Sequence, residues 1–432
     1  MAKTYDTYKD SGIAWIGKIP EKWIVGLVGK YFEEINKPNI NQEETNTLQF
    51  KMGEIISKSK GDSKYSPETI EAYNVVEPGT IMINGLNLSF DLVSQRIAQV
   101  RERGAITSTY LAIFPTKKMK SNYAKYLLKA YDNNKALHAM GRGLRATLSY
   151  RTFRSEPVIV PSLDEQQAIA SYLDEKCGEI NSLISLQEEM ISELQAYKQS
   201  VITETVTKGL DPNVPMKDSG FEWIGMIPEE WKIQRLRTLG NCQNGISKGG
   251  EYFGDEFDFP FVNYTDAYKN IDVPYPEGRA NSTEEDRKQY SLIEGDILFT
   301  RTSETIDEIG YASTCTQTIP NAVFSGFLIR FRPTGKELYY GFSKYYFRSS
   351  IHRAFFVKEM NLVTRASLSQ NLLKNLPTLI PPLSEQQAIA SYLDEKTSQI
   401  DSLIALKQEK ITELKDYKKS IIYEYVTGKK KV

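Results

Sequence analysis

The chain has 432 residues, 54 Lys or Arg against 55 Asp or Glu, a net charge of −1 and 40 % hydrophobic residues. That length exceeds one compact core and implies two or more domains. Three scattered cysteines, Cys177, Cys242 and Cys315, argue against a disulfide framework or thiolate metal site, and no apolar run reaches membrane-span length, so a cytoplasmic protein is expected.

The first recognisable element is KDSGIAWIGKIPEKW at Lys9–Trp23. Its Gly, Trp and Ile-Pro content suggests a turn packed by indole rings and fixed at Pro20. A variable region, roughly Ile24–Val160, follows. Within it Glu71–Leu86 reads as a strand, a turn at Pro78–Gly79 and a second strand. Ala105–Pro115, β-branched and aromatic, reads as one buried strand, and Lys117–Asp132 as a helix with basic residues on one side. Glycines then mark a turn, and a strand leads into Pro161. From Pro161 to Lys208 apolar residues recur at steps of three and four: Ile180, Leu183, Ile184, Ile191, Leu194, Tyr197 and Val201. Some 40 helical residues predict a rod of about 60 Å. A single apolar stripe along such a rod requires a partner.

The arrangement then repeats. KDSGFEWIGMIPEEW occupies Lys217–Trp231, offset by 208. In the second variable region, Lys232–Ile380, the segments Leu292–Arg301, Val323–Pro333, Leu338–Ser350 and Thr364–Pro382 echo the first. The rod returns at Pro381–Gly428, offset by 220, with 30 of 48 residues identical. EQQAIASYLDEK is unbroken at Glu165–Lys176 and at Glu385–Lys396. Ile400, Leu403, Ile404, Ile411, Leu414, Tyr417 and Ile421 repeat the stripe. Joining the C-terminal VTGKKKV to the N-terminus nearly reproduces the junction between the halves, so the chain reads as two tandem units about a pseudo-two-fold axis. The expected fold is α+β: two pseudo-symmetric globular α/β domains, 1–160 and 211–380, joined by two long antiparallel helices, 161–210 and 381–432, that form a coiled-coil spacer. Its seam would comprise Ile180, Ile184, Ile191 and Leu194 with Ile400, Ile404, Ile411 and Leu414. Glu188 and Glu189 would face Lys407, Lys410, Lys415 and Lys418, each exposed pair contributing about 0–1 kcal/mol.

Signs of catalysis are absent. There is no P-loop, dinucleotide fingerprint or serine elbow. His138 and His352 lie in basic, aromatic settings rather than at metal-ligand spacing. The near-zero net charge hides a strong pattern. Arg96–Arg154 holds 13 Lys or Arg against 2 acids, Arg330–Lys374 holds 9 against 2, and Glu251–Glu308 holds 15 acids against 5 bases. Basic surface of this kind suits DNA phosphates. The backbone-contact candidates are Lys117, Lys118, Arg142, Arg145, Arg151 and Arg154, then Lys344, Arg348, Arg353, Lys358 and Arg365. Amides, hydroxyls and arginines also read base edges, which nominates Asn84, Asn87, Gln95 and Arg96 in the first region and Asn244, Ser247, Lys248, Arg301 and Ser303 in the second. Unlike readers on a stiff rod would touch separate patches of a duplex whose groove face recurs every 34–36 Å or so.

PSLDEQQAIASYLDEK at Pro161–Lys176 and PPLSEQQAIASYLDEK at Pro381–Lys396 each close a variable region and open a long helix. Together with the W-I-G-x-I-P-x-x-W elements at Trp15–Trp23 and Trp223–Trp231, they resemble the specificity subunit of type I restriction–modification enzymes over the whole chain. The resemblance implies two target recognition domains reading the halves of a bipartite site in double-stranded DNA. It implies a helical spacer docking two modification subunits, which carry S-adenosylmethionine and methylate adenine at N6. Restriction subunits using ATP and Mg²⁺ would complete a nuclease. This chain itself would be non-catalytic, with no cofactor or metal of its own. Docking is expected near Gln166, Ile169, Leu173, Gln386, Ile389 and Leu393. An assembly scaffold with two protein-binding end domains is the alternative. A methyltransferase acting alone is disfavoured, because Asp211-Pro212-Asn213 lacks the second proline and the aromatic residue of N-P-P-F/Y or D-P-P-Y/F.

Overall fold

A computed structural model of the chain describes residues 3–58, 70–88, 91, 93, 95–141, 146–303, 309–352, 354–356 and 366–432. The chain divides into two compact units, 1–188 with 408–432, and 189–407. Both long helices contribute to both units.

In the first unit the duplicated short motif is a hairpin, Tyr8–Asp10 pairing antiparallel with Lys18–Pro20. Strand Ile24–Leu27 pairs with Pro157–Val160, so the two ends of the variable region close on each other immediately before the rod. Between them lies an antiparallel four-stranded sheet in the order Phe32–Glu34, Leu111–Pro115, Ile81–Ile83, Ile97–Gln99. The predicted turn is present, with Gly79 at φ +93 where a side chain would be strained. The single strand expected over Ala105–Pro115 is instead two, Gly104–Ile106 and Leu111–Pro115. Hydroxyls break it: Thr107 Oγ1 lies 2.8 Å from Thr109 Oγ1 and accepts from Thr109 N, a local bond that competes with the ladder. Helix Ser121–Asn133 follows.

The second unit repeats this plan. Met216–Asp218 pairs with Met226–Pro228, and Lys232–Arg235 with Pro377–Ile380. The four-stranded sheet runs Gly240–Asn244, Leu328–Pro333, Ile297–Thr300, Ala312–Thr314, and helix Tyr340–Arg348 corresponds to Ser121–Asn133. Its additions are strand Phe259–Val262, pairing with Arg279–Ala280 and Val323–Phe324, and two short helices, Tyr264–Lys269 and Glu284–Gln289, each opened by a capping box.

The rods are continuous helices, Leu163–Lys208 of 46 residues and Leu383–Val426 of 44. Each stops at a glycine with positive φ, Gly209 at +77 and Gly428 at +71, the left-handed end that a helix terminus favours. In the first unit Tyr172 meets Tyr425 and Asn181 meets Lys418, so the helices run antiparallel. In the second, Lys198 Nζ pairs with Asp401 at 2.7 Å. These are the polar links between the helices, in place of contacts from Glu188 and Glu189. Ile180, Ile400 and Ile411 are buried, and Ile184, Ile191, Leu194, Ile404 and Leu414 half-buried. Leu183 and Tyr197, members of the sequence stripe, are 47 % and 50 % exposed, as are their duplicates Leu403 and Tyr417 at 46 % and 56 %. A two-helix seam is narrower than the apolar stripe and leaves these side chains outside it.

Ile180→Ala should therefore destabilise the first unit by about 2–4 kcal/mol through the cavity it leaves. Leu183→Ala, three residues away, should change stability by less than about 0.5 kcal/mol. Urea unfolding of the two variants, followed by circular dichroism, separates seam from surface.

Candidate nucleic-acid interface

Each unit is held to the rods by a joint built from the two repeated motifs. Trp23 is buried, and its Nε1 donates to Glu165 Oε2 at 2.9 Å; Trp231 Nε1 donates to Glu385 Oε2 at 2.8 Å. The next residue is a clamp. Gln166 Oε1 accepts from Lys120 N at 2.8 Å, and its Nε2 donates to the Pro161 and Lys118 carbonyls at 3.0 and 3.3 Å. Gln386 makes the same set with Tyr339 N, Pro381 O and Glu337 O at 2.8, 2.9 and 2.7 Å. About two turns further along the rod, Asp174 accepts from Tyr126 Oη and pairs with Lys125, both at 2.7 Å. Asp394 does so with Tyr345 and Lys344, both at 2.7 Å. Burial, then the bond to Asp174, pushes the Tyr126 phenol far up, so it remains a donor at any physiological pH.

This geometry corrects the expected docking residues. Gln166, Ile169, Leu173, Gln386, Ile389 and Leu393 are all at most 1 % exposed. Their amides and methyl groups tie the rod to its own unit and leave no surface for another subunit.

The reading loops rest on these joints. In the first unit Leu148 N donates to Gly85 O and Leu88 N to Ala146 O, pairing the 84–88 loop with the segment before the rod. Asn84, Asn87, Gln95 and Arg96 come together here, but in different roles. Asn87 and Gln95 are exposed and Asn84 half-buried. Arg96 is 1 % exposed, and its guanidinium donates to the carbonyls of Asn84, Leu86, Asn87 and Asp91. It shapes the loop from beneath rather than facing a base.

In the second unit Leu368 N donates to Arg301 O, and Thr302–Ser303 pairs with Ala366–Ser367, repeating that arrangement. Ser247 and Arg301 converge on the turn Ser325–Phe327, and Asn244 pairs with Ile329 just beyond it. Gly326 N donates to Ile246 O and Arg301 N to Phe327 O. A Cβ at Gly245 would overlap the carbonyls of Phe324 and Ser325, so this approach requires glycine. Phe327, at 61 % exposure, tops the turn; it lies inside Val323–Pro333, which reads from sequence as one strand, so it was not singled out. Lys248 stands apart, paired with Asp286 at 2.6 Å and lying over the Tyr252 ring.

The basic candidates also divide. Lys117, Lys118, Arg151 and Arg154 are exposed. Lys344 is held by Asp394 and Asp272. Arg348 donates to the carbonyls of Ala267, Tyr268 and Ala312 beneath Tyr311, and so is internal. Arg142, Arg145, Arg353, Lys358 and Arg365, with the Ser303 side chain, lie outside what the structure describes. Among the described residues no group of three or more His, Cys, Asp or Glu could hold a metal ion. No described helix is long and apolar enough to cross a membrane.

Residues 228–416 match the family of type I restriction modification DNA specificity domains. The chain is 23 % identical over 431 residues to the type I restriction enzyme MjaVIII specificity subunit of Methanocaldococcus jannaschii, covering 96 % of this chain and 94 % of that one. A solved structure concerned with complex assembly and conformational transition of the type I R-M system superposes at TM-score 0.70, with 16 % identity, over 94 % of this chain and 98 % of the other. The HsdS subunit of Thermoanaerobacter tengcongensis superposes at TM-score 0.51, with 16 % identity, over 95 % and 98 %. Over almost its whole length the chain is thus similar to type I restriction–modification specificity subunits.

Trp23→Phe keeps an aromatic ring but removes the donor to Glu165 and the volume of the second ring, and should cost the first unit about 2–4 kcal/mol. Trp231→Phe should do the same in the second. Denaturation followed by hydrogen exchange would show the loss confined to the altered unit.

Proposed function

We propose that the two units read the two unlike halves of a bipartite site in double-stranded DNA, with the antiparallel rods setting the number of unread base pairs between them. The observation that carries this reading is a shared scaffold bearing different tips. Sheet order, strand closure and rod joint are the same in both units, whereas Asn84, Asn87 and Gln95 stand in one loop and Asn244, Ser247, Arg301 and Phe327 around the other. Exposed Lys117, Lys118, Arg151 and Arg154 contact phosphates in the first unit, holding register rather than reading sequence.

Two modification subunits dock on the rods, one for each unit, and bring S-adenosylmethionine for adenine N6 methylation. Restriction subunits, where present, bring ATP and Mg²⁺. The surface for modification subunits lies outside the seam, at Leu183, Leu186 and Tyr417 in the first unit and at their duplicates Leu403, Leu406 and Tyr197 in the second, all between 46 % and 60 % exposed. Duplicated apolar side chains left in water at matching positions suit two copies of one partner.

Methylome sequencing of cells expressing the chain with its modification partner should return two half-sites and a fixed gap. Phe327→Ala with Asn244→Ala should relax one half-site, by about 1–3 kcal/mol per lost contact, and leave the other and the gap intact. Adding one helical turn to both rods should lengthen the gap; unchanged spacing would refute the ruler. In co-purification, Leu186→Glu with Leu406→Glu should release the modification subunits without altering the fold.

A further inference from the structure

The first unit contains a cavity of about 560 Å³ between helix Ser121–Asn133 and the rods, a size typical of small-molecule sites. Five lysines line it: Lys129, Lys135, Lys415, Lys418 and Lys419. Lys418 Nζ donates to the Asn181 amide oxygen at 2.6 Å, and Lys419 pairs with Asp416 at 2.8 Å. Among the described residues Lys129, Lys135 and Lys415 make no side-chain hydrogen bond or ion pair. The single carboxyl in the wall is Asp132. Its Oδ2 accepts from Arg96 N at 2.7 Å, its Oδ1 is buried without a partner, and burial pushes its pKa up, which weakens it as a counter-charge. Desolvation, together with Lys418 and Lys125 nearby, pushes Lys129 down to about 8.

The duplicated half of the molecule shows that this charge is not a requirement of the fold. At the equivalent positions of the second unit, Lys198 meets a carboxylate, Asp401, where Lys418 meets an amide, Asn181. Gln195 and Gln199 replace Lys415 and Lys419. Arg348 replaces Lys129 and binds three backbone carbonyls. Two rods that share 30 of 48 residues have thus diverged toward positive charge around the cavity in one unit only.

We propose that this cavity binds a polyphosphate-type anion, with Lys129 and Lys418 as its inner donors and Lys415 and Lys419 at its mouth. Ammonium groups are point-charge donors suited to phosphate oxygens, and several that outnumber the carboxylates around one concavity, here Asp132, Asp416 and the nearby Glu54, are stabilised by an anion with more than one negative charge. The phosphate comes from a free polyphosphate or from a DNA backbone, and the inference does not rest on the bipartite reading above.

The test is isothermal calorimetry of the full chain with inorganic pyrophosphate. Asn181→Asp is the informative variant, because it restores the carboxylate found in the other unit without changing side-chain size. It should weaken pyrophosphate binding at least tenfold, as should Lys129→Gln. Asp401→Asn in the second unit should leave binding unchanged, and unaltered thermal unfolding of each ligand-free variant establishes that folding is intact. A random-sequence duplex measured in parallel identifies the source: competition with pyrophosphate, or loss of duplex affinity in Asn181→Asp, assigns the cavity to a DNA phosphate, and pyrophosphate binding without competition assigns it to a free anion. If Asn181→Asp changes binding of neither ligand, or the wild type binds neither, the proposal is wrong.

Discussion

Everything else in the structure depends on an indole hydrogen bond made twice, Trp23 to Glu165 and Trp231 to Glu385. A reading surface is useful only if its orientation on the rod is fixed, and a single packed ring does not fix rotation. The joint does so by adding directional bonds to burial. The Trp donor defines one axis, the three bonds of Gln166 or Gln386 define a second, and the Tyr-to-Asp bond about two turns further on resists rocking. A glycine seals each joint. A Cβ at Gly428 would collide with Pro20 beside Trp23, and one at Gly209 would reach Glu385 beside Trp231. The end of one rod and the start of the other therefore meet the same tryptophan within each unit. Glu165, Gln166 and Asp174 of the unbroken repeat make this joint and Ile169 and Leu173 are buried with it, whereas Gln167, Ala168, Ser171 and Glu175 are exposed, so the joint accounts for part of the identity between copies.

Once orientation is secured at the joint, the tips are free to differ. The sheet order is common to both units, yet the second inserts strand Phe259–Val262 and two capped helices without disturbing it. The same separation appears in how the chain is joined. In the second unit the rod at Lys208 leads covalently to the hairpin at Met216. In the first the equivalent join is non-covalent, with Lys431 N donating to Lys3 O, Tyr423 Oη to Trp15 O and Lys429 Nζ to Ile16 O.

The rods, the duplicated plan and the α+β alternation were legible in the sequence because each rests on periodicity, and periodicity survives without a partner in view. Individual polar side chains were not. Gln166 at a helix start was expected at a docking surface, and Arg96, in a loop rich in Asn and Ser, at a base edge. Both are buried, because backbone groups far away in sequence accept or donate to them. The strand expected over Ala105–Pro115 failed for a related reason: β-branching favours a strand, but threonine hydroxyls also offer the backbone a local alternative. Phe327 was hidden by the opposite error, since apolar type alone does not distinguish a core ring from one presented at a turn.

Charge counting shows most sharply where residue type and residue role part. The basic excess over Arg330–Lys374 suggested a phosphate-binding face, but Arg330, Arg332, Lys344 and Arg348 serve the fold. Arg332, for instance, is held above the usual guanidinium range, first by its bond to Asp296. The acidic stretch before it is likewise structural in part: Asp266 and Asp286 complete capping boxes, and Asp272 and Asp296 answer those same cations. Of the six described cations in 330–374 four are thus committed to contacts within the unit, so a count of Lys and Arg overstates the basic surface of that stretch.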